Sequence, residues 1–406
     1  MSAVPPGAGA ESPAGGATQP RADEAGTPFS LPALLRYFLV LGTIGFGGPI
    51  ALAGYMERDL VEKRRWISPE DYKEGLAFAQ LAPGPLAAQL AMYLGYVRAR
   101  VPGATLVGLA FIGPSFLMVL ALSALYLAYG GLPWMGAVFY GVGAAVIAII
   151  ARSAFKLVRL TARRDPLLWS VVAVNALVTA WAQAELVWVF VLSGVFVLLV
   201  RSVRLRRSRP AAAGLPAVVP VWLLSGLHGV ADAPLLGRIL WFFAKAGSVV
   251  FGSGLAVVPF LYGGVVRDFH WLTERQFLDA VAVSMITPGP VVITVAFVGY
   301  LVAGPIGATV AAIGVFAPVY LFVVAVSPFF RRFAANPRVR AFVHGLTAAA
   351  TGAIVGAVVV LGRRALVDVA TVLICAGVLL VLLRAKKIPE PVLVVAAGLV
   401  GLVLMS

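Results

Sequence analysis

The chain has 406 residues, 61% hydrophobic and only 12% charged, with a formal net charge of +15. A soluble domain carries about 25% charged residues and cannot hide this much apolar surface, so a water-soluble globule is excluded. The basic residues stand in short clusters between apolar runs: Arg58 with Lys63 to Arg65, Lys156 to Arg164, Arg201 to Arg209, Arg331 to Arg340, and Arg384 to Lys387. That is the pattern of cytoplasmic loops in a membrane protein, and it excludes a nucleic-acid partner.

Residues 1–30 are rich in Ala, Gly and Pro without an apolar centre, which predicts a disordered tail rather than a signal peptide. From Leu31 on, apolar runs recur at lengths suited to a hydrocarbon core roughly 30 Å thick. Residues 31–205 form a first unit, with spans at 34–55, 103–127, 133–155, 166–182 and 186–201 and a Pro-Gly-Pro segment at 68–97. Residues 206–235 contain Pro210, Pro216, Pro220 and Pro234 and read as a linker. Residues 236–406 form a second unit, with spans at 238–262, 304–327, 341–361, 366–383 and 389–405 and a Pro-Gly-Pro segment at 273–302.

The second unit is a copy of the first. At an offset of 205, Phe46 and Gly47 meet Phe251 and Gly252, Trp66 meets Trp271, and Pro83, Gly84, Pro85 meet Pro288, Gly289, Pro290. Composition alone repeats alanines and valines but not a Trp and a PGP in one register. The fold class is therefore an all-α polytopic membrane protein of two homologous halves, each with about five transmembrane helices and a PGP-broken helical hairpin.

Ser68 with Asp71, and Thr273 with Gln276, have capping-box spacing, so a helix of about 14 residues, roughly 21 Å, precedes each PGP. Such a helix is too short to cross, which leaves one long broken crossing or a re-entrant hairpin with the PGP at its tip; basic clusters at both ends of the first copy favour the hairpin. Five crossings per half, an odd number, then make the halves inverted repeats, the usual architecture of secondary transporters. Loop charge agrees at 56–68 against Arg267, whereas Arg363 and Arg364 fit badly because they fall outside.

A break inside a membrane leaves backbone groups that lipid cannot satisfy, and the helix starts after Pro85 and Pro290 offer free N–H groups and a positive dipole end to an anion. The candidate substrate residues are Pro83, Gly84, Pro85, Gln89, Thr287, Pro288, Gly289, Pro290 and Thr294, with Lys245 as a cation in an apolar span. Polar side chains here also serve to tie helices together, and Lys245 could equally snorkel. Gly45, Gly47, Gly48, Gly252 and Gly254 read as helix packing or gating positions in the first span of each half. Glu74 and Asp279 are candidate proton carriers, or else solvated residues near the interface. The lone Cys375 and the scattered His228, His270 and His344 imply no metal or redox cofactor.

The stretches GFGGPIALAGYMERDLVEKRRWISPEDYKEGLAFAQLAPGPLAAQLAMYLGYV (45–97) and VFGSGLAVVPFLYGGVVRDFHWLTERQFLDAVAVSMITPGPVVITVAFVGYLVAGPIGA (250–308) closely resemble the chromate transporter family in its long, two-domain form. The resemblance covers about residues 34 to 365. It implies export of chromate from the cytoplasm across the inner membrane, with chromate resistance, driven by membrane potential or a proton gradient. Sulfate or another oxyanion is the alternative cargo. The expected partners are the oxyanion, the lipid bilayer and protons, with a homo-oligomer compatible. A membrane enzyme is disfavoured by the lack of a catalytic constellation, and a non-transporting scaffold does not need broken helices twice.

Overall fold

The structure is a computed structural model that describes residues 29–46, 48–129, 133–182, 187–202, 233–249, 251–252, 257–330, 336–385 and 388–405. The tail, Gly47, Gly254 and most of the linker lie outside them. Nearly all of the described chain is helical. Among the described residues, four helical stretches are long and apolar enough to cross a membrane: Leu86–Tyr129, Trp134–Ala162, Val291–Phe329 and Pro337–Ala365.

The chain opens with α1 (Leu31–Ile44), capped by Ser30, and α2 (Gly48–Met56), which runs on as wider π-helical turns over Glu57–Lys63. The sequence reading made these one continuous span. Instead the chain folds back: the rings of Phe29 and Trp66 stack with centroids 5.3 Å apart, and the Arg64 guanidinium lies 4.7 Å from the Trp66 ring and 5.9 Å from that of Tyr37. In a straight crossing those ends would stand on opposite sides of a core roughly 30 Å thick. The reversal has a local cause, since Gly48 sits at φ +74° and Pro49 cannot donate a hydrogen bond to continue α1. Gly45 and Gly48 thus lie at the turn of a helical hairpin, and Gly45 also packs closely, since a Cβ there would lie 2.7 Å from Leu52 of α2.

A second hairpin follows. In α3 (Pro69–Leu81), Ser68 Oγ accepts from Asp71 N at 3.0 Å and Pro69 opens the first turn, as the capping pattern predicts. A two-residue strand β1 (Gly84–Pro85) leads into α4 (Leu86–Tyr129). Phe78 of α3 stacks on Tyr93 of α4 at 5.4 Å, and a Cβ on Gly75 would touch the same ring, so the two helices run antiparallel with the PGP between them. α4 itself is two arms, because Ala99 and Arg100 leave helical geometry (φ −146° and +53°). A Cβ on Gly95 would lie 2.4 Å from the Gly103 carbonyl oxygen, whereas residues eight apart on a straight helix are about 12 Å apart. Arm 86–98 therefore folds back tightly on arm 101–129. Helices α5 (Pro133–Ala162), α6 (Pro166–Ala182) and α7 (Val187–Ser202) complete the half.

The second half repeats this order: α8 (Ala233–Val249), β2 (Phe251–Gly252), α9 (Val257–Leu261) with π turns over Tyr262–Asp268, and α10 (Glu274–Ile286). A short 3-10 turn, Val291–Ile293, then leads into α11 (Thr294–Val326), followed by α12 (Pro337–Ala365), α13 (Val369–Arg384) and α14 (Glu390–Met405). Thr273 and Gln276 form the full capping box, Gly289 matches Gly84 with positive φ, and α11 breaks at Ala303–Gly304 where α4 breaks at Ala99–Arg100. The duplication is therefore structural down to single backbone angles: Arg65 and its equivalent His270 share φ +51°.

The halves exchange contacts reciprocally. α5 packs against α13 and α14 of the second half, and α12 against α6 and α7 of the first. Small residues allow the close approach: a Cβ on Gly141 would strike Ala397 O of α14, and one on Gly345 would meet Gly194 of α7. The long arms of α4 and α11 are antiparallel. Thr105, early in its arm, shares a 2.7 Å hydrogen bond with Tyr320, late in the other, and Tyr126, at the far end of α4, packs on Phe297 of the short arm that precedes the break in α11.

Candidate substrate site

Each PGP tip is seated in the opposite half. Gly84 and Pro85 pair in parallel with Phe251 and Gly252, joining the first PGP to the second Gly-rich turn. Gly289 N donates to Gly45 O at 2.9 Å, joining the second PGP to the first Gly-rich turn. Both glycines are required. Gly84 has φ +134° with Val319 of α11 and Gln89 packed on it; Gly289 has φ +102°, and a Cβ there would overlap Ser115 Oγ of α4. Ser115 Oγ also donates to Gly42 O at 3.2 Å, which fixes α1 to α4 beside the tip.

A cavity of about 800 Å3 runs from these turns to the surface. Its inner end is lined by Gly45, Phe46, Gly48 and Pro49, by Leu86, and by Thr287, Gly289 and Val291. Three helical segments begin there, α2, α4 and the turn into α11, so three sets of first-turn N–H groups and three positive dipole ends converge. The outer walls carry Arg152, Lys156, Arg163, Arg201 and Arg340 with His344, against the carboxylates Asp165 and Glu390. Arg201 pairs with Asp165 and lies 3.3 Å from His344 Nδ1, tying the ends of α6, α7 and α12 at the rim. The arrangement suits a small anion, since basic walls attract it and helix starts present positive ends to it, although at the second tip Ile293 N, expected to be free, donates to Pro290 O at 2.9 Å.

The sequence-derived residues divide. Thr287, Gly289, Gly45 and Gly48 line the cavity. Pro83, Gly84, Pro85, Pro288 and Pro290 shape the tips. Gln89 is fully buried and donates through Nε2 to Pro83 O at 2.6 Å, so it holds the first tip closed. Thr294 and Thr287 direct their hydroxyls to carbonyls of their own segments, Val291 O and Val283 O, each at 2.7 Å. Asp279 is buried and accepts a 2.8 Å hydrogen bond from Tyr126 of the other half, whereas its repeat equivalent Glu74 is half-buried. Lys245 is not brought to the tips; it is exposed on α8 with its ammonium 5.3 Å from the Trp241 ring. Sequence reasoning missed Arg152, although an arginine inside the apolar run 133–155 was the available signal. No group of His, Cys, Asp or Glu among the described residues could hold a metal ion.

The family described as Chromate transporter matches residues 32–198 and again residues 237–402. The chain belongs to the chromate transporter family. It is 57% identical to the chromate transport protein of Cupriavidus metallidurans, covering 92% of this chain and 93% of that protein. It is 55% identical to a probable chromate transport protein of Synechococcus elongatus (93% and 96% covered) and 34% identical to the chromate transport protein of Pseudomonas aeruginosa (92% of each). No solved structure matches the chain. The resemblance seen in the paired FGG/FGSG and PGP motifs is borne out, and the protein is a multi-pass membrane transporter. In this transporter each PGP tip is joined to backbone of the other family region, Gly84 and Pro85 to Phe251 and Gly252, and Gly289 to Gly45.

Proposed function

We propose that this chain exports chromate from the cytoplasm across the inner membrane, driven by the membrane potential, and so confers chromate resistance. The observation that supports it best is the convergence of three helix starts at the closed end of a basic cavity. The halves are inverted across the membrane, and the PGP and Gly-rich hairpins re-enter it from opposite sides to meet near its centre. The antiparallel α4 and α11 arms and the reciprocal packing of α5 and α12 support this arrangement. The cavity opens beside Arg163, Arg201 and Arg340, on the side where Lys63 to Arg65 and Arg98 also gather, which by the positive-inside rule is the cytoplasm. Moving a dianion outward through an inside-negative potential is downhill by roughly 2 × 2.3 kcal/mol per 100 mV. The substrate residues are the two PGP tips, Pro83 to Pro85 and Pro288 to Pro290, with Thr287; Asp279 and Glu74 are the candidate proton carriers. The test is expression in a chromate-sensitive host with measurement of cytoplasmic chromate, paired with chromate uptake by inverted vesicles in the presence of sulfate. Unchanged cytoplasmic chromate at good expression would sink the reading, and full inhibition by equimolar sulfate would shift the cargo to sulfate.

A further inference from the structure

Two charges in the cavity are not explained by the hairpin tips, and the deeper of them, Arg152, also lies outside the basic loop clusters. Arg152 stands ten residues before the end of α5 at Ala162, about 15 Å along the axis, and Lys156 is one turn further on, so both face the cavity from one side of the helix. A cation at such depth in a spanning helix is expensive and persists where it meets a partner or a substrate path. Among the described residues, Arg152 has a loose partner. Glu390, at the start of α14, stands 3.9 Å away, beyond hydrogen-bond distance, and both side chains remain about one-third exposed to the cavity (35% and 31%).

The repeat supplies a comparison within the molecule. α5 and α12 align from Pro133 and Pro337, an offset of 204, so Arg152 and Lys156 correspond to Gly356 and Val360. Gly356 is packed hard against α6, with a Cβ there lying 2.6 Å from Ala176 O. The duplicated position therefore holds a charged pair facing a cavity in one half and a sealed helix contact in the other. Neither fold nor packing requires charge at this position, since its twin does without.

We propose, resting on the transport reading, that Arg152 and Lys156 form an anion-capture station ahead of the hairpin tips, with Glu390 as the internal counter-ion that an incoming dianion displaces. The guanidinium fork meets two oxygens of a tetrahedral oxyanion and the ammonium a third, and the paired positive charges match a dianion better than the single charge of Glu390. Because the second half has no equivalent, capture operates from the cavity side alone.

The experiment is equilibrium dialysis of the purified full-length protein in detergent with labelled sulfate and with chromate, beside chromate uptake in proteoliposomes. Arg152→Gln and Lys156→Gln should each weaken divalent-anion binding roughly tenfold, the loss expected for one charge-assisted hydrogen bond. Arg152→Lys and Lys156→Arg should restore most of it, and Glu390→Gln should tighten binding. Wild-type affinity in both Gln variants, or no anion binding by the wild type, overturns the station. Anion binding that follows this pattern while wild-type proteoliposomes move no chromate leaves the station standing and removes the transport reading instead.

Discussion

Gly289 concentrates the constraints of the site in one residue: positive φ, a backbone donor spent on Gly45 O, and no space for a Cβ beside Ser115. Gly289→Ala should cost about 1–3 kcal/mol in backbone strain before the overlap with Ser115 is counted. Transport should be lost and thermal stability should fall, while Gly143→Ala, where a Cβ would meet nothing within 4 Å, should change neither. Gln89→Ala tests the first tip in a different way. It removes the 2.6 Å bond to Pro83 O and leaves that carbonyl unsatisfied, a loss of about 1–3 kcal/mol. Slower transport with a lower thermal midpoint is expected; an unchanged midpoint would mean that Gln89 does not hold the tip. The PGP glycines were legible in the sequence because a repeated Pro-Gly-Pro inside an apolar run has few structural meanings. The role of Gln89 was not, because an amide near a break reads equally as a ligand or a clamp, and only its geometry decides.

Helix positions were mostly legible, since hydropathy and caps are local properties: α6, α7, α13 and α14 begin and end within a few residues of their predicted spans. The folded-back first span was not. An apolar run of span length has the same hydropathy whether it crosses or returns, and the Gly-rich turn that decides was read as packing. The hairpin predicts that Phe29→Cys with Trp66→Cys, in a Cys375→Ser background, will form a disulfide on mild oxidation. A continuous crossing would keep the pair far apart, and no crosslink would restore that alternative. Asp368 offers a second test at this scale. It caps α13 by accepting from Thr371 N at 2.8 Å and also accepts from Tyr140 of α5 at 2.6 Å. These bonds hold its carboxyl below the usual carboxylate range. A depressed folded value means that the stabilisation is present in full above the ordinary carboxylate range and is lost as pH falls through the lowered one. Asp368→Asn should therefore lower the thermal midpoint at pH 7, and the gap should close in strong acid; a gap that does not change with pH would detach the cap from the charge.

At the scale of the whole molecule, the sequence argument for inversion rested on five crossings per half; the folded-back first span leaves four, the long arm of α4 with α5, α6 and α7, an even number that no longer supports inversion. The proposed inversion rests on a contact instead: Thr105, just past the break in α4, bonds to Tyr320, far past the break in α11, which supports long arms that run in opposite directions. Arg364 pairs with Glu274 and lies 5.2 Å from the Tyr262 ring, so it is anchored to the second half's own hairpin.

The proposed inversion leads to a direct measurement. Arg64 and Phe269 are repeat equivalents, each at the end of its half's π-helical turns and beside the aromatic partner Trp66 or Trp271. In a parallel duplication they would share a face of the membrane; in an inverted one they lie on opposite faces. Arg64→Cys and Phe269→Cys, each in the Cys375→Ser background, should therefore react with an impermeant thiol reagent from opposite sides in intact cells and inverted vesicles, with Arg64→Cys reached from the cytoplasm. Both substitutions leave the PGP tips and cavity walls intact, so each variant should keep its transport activity, and the labelling then reports on a working transporter. Labelling of both from one face would overturn the inverted arrangement, and with it the account in which two oppositely directed hairpin tips build one anion site.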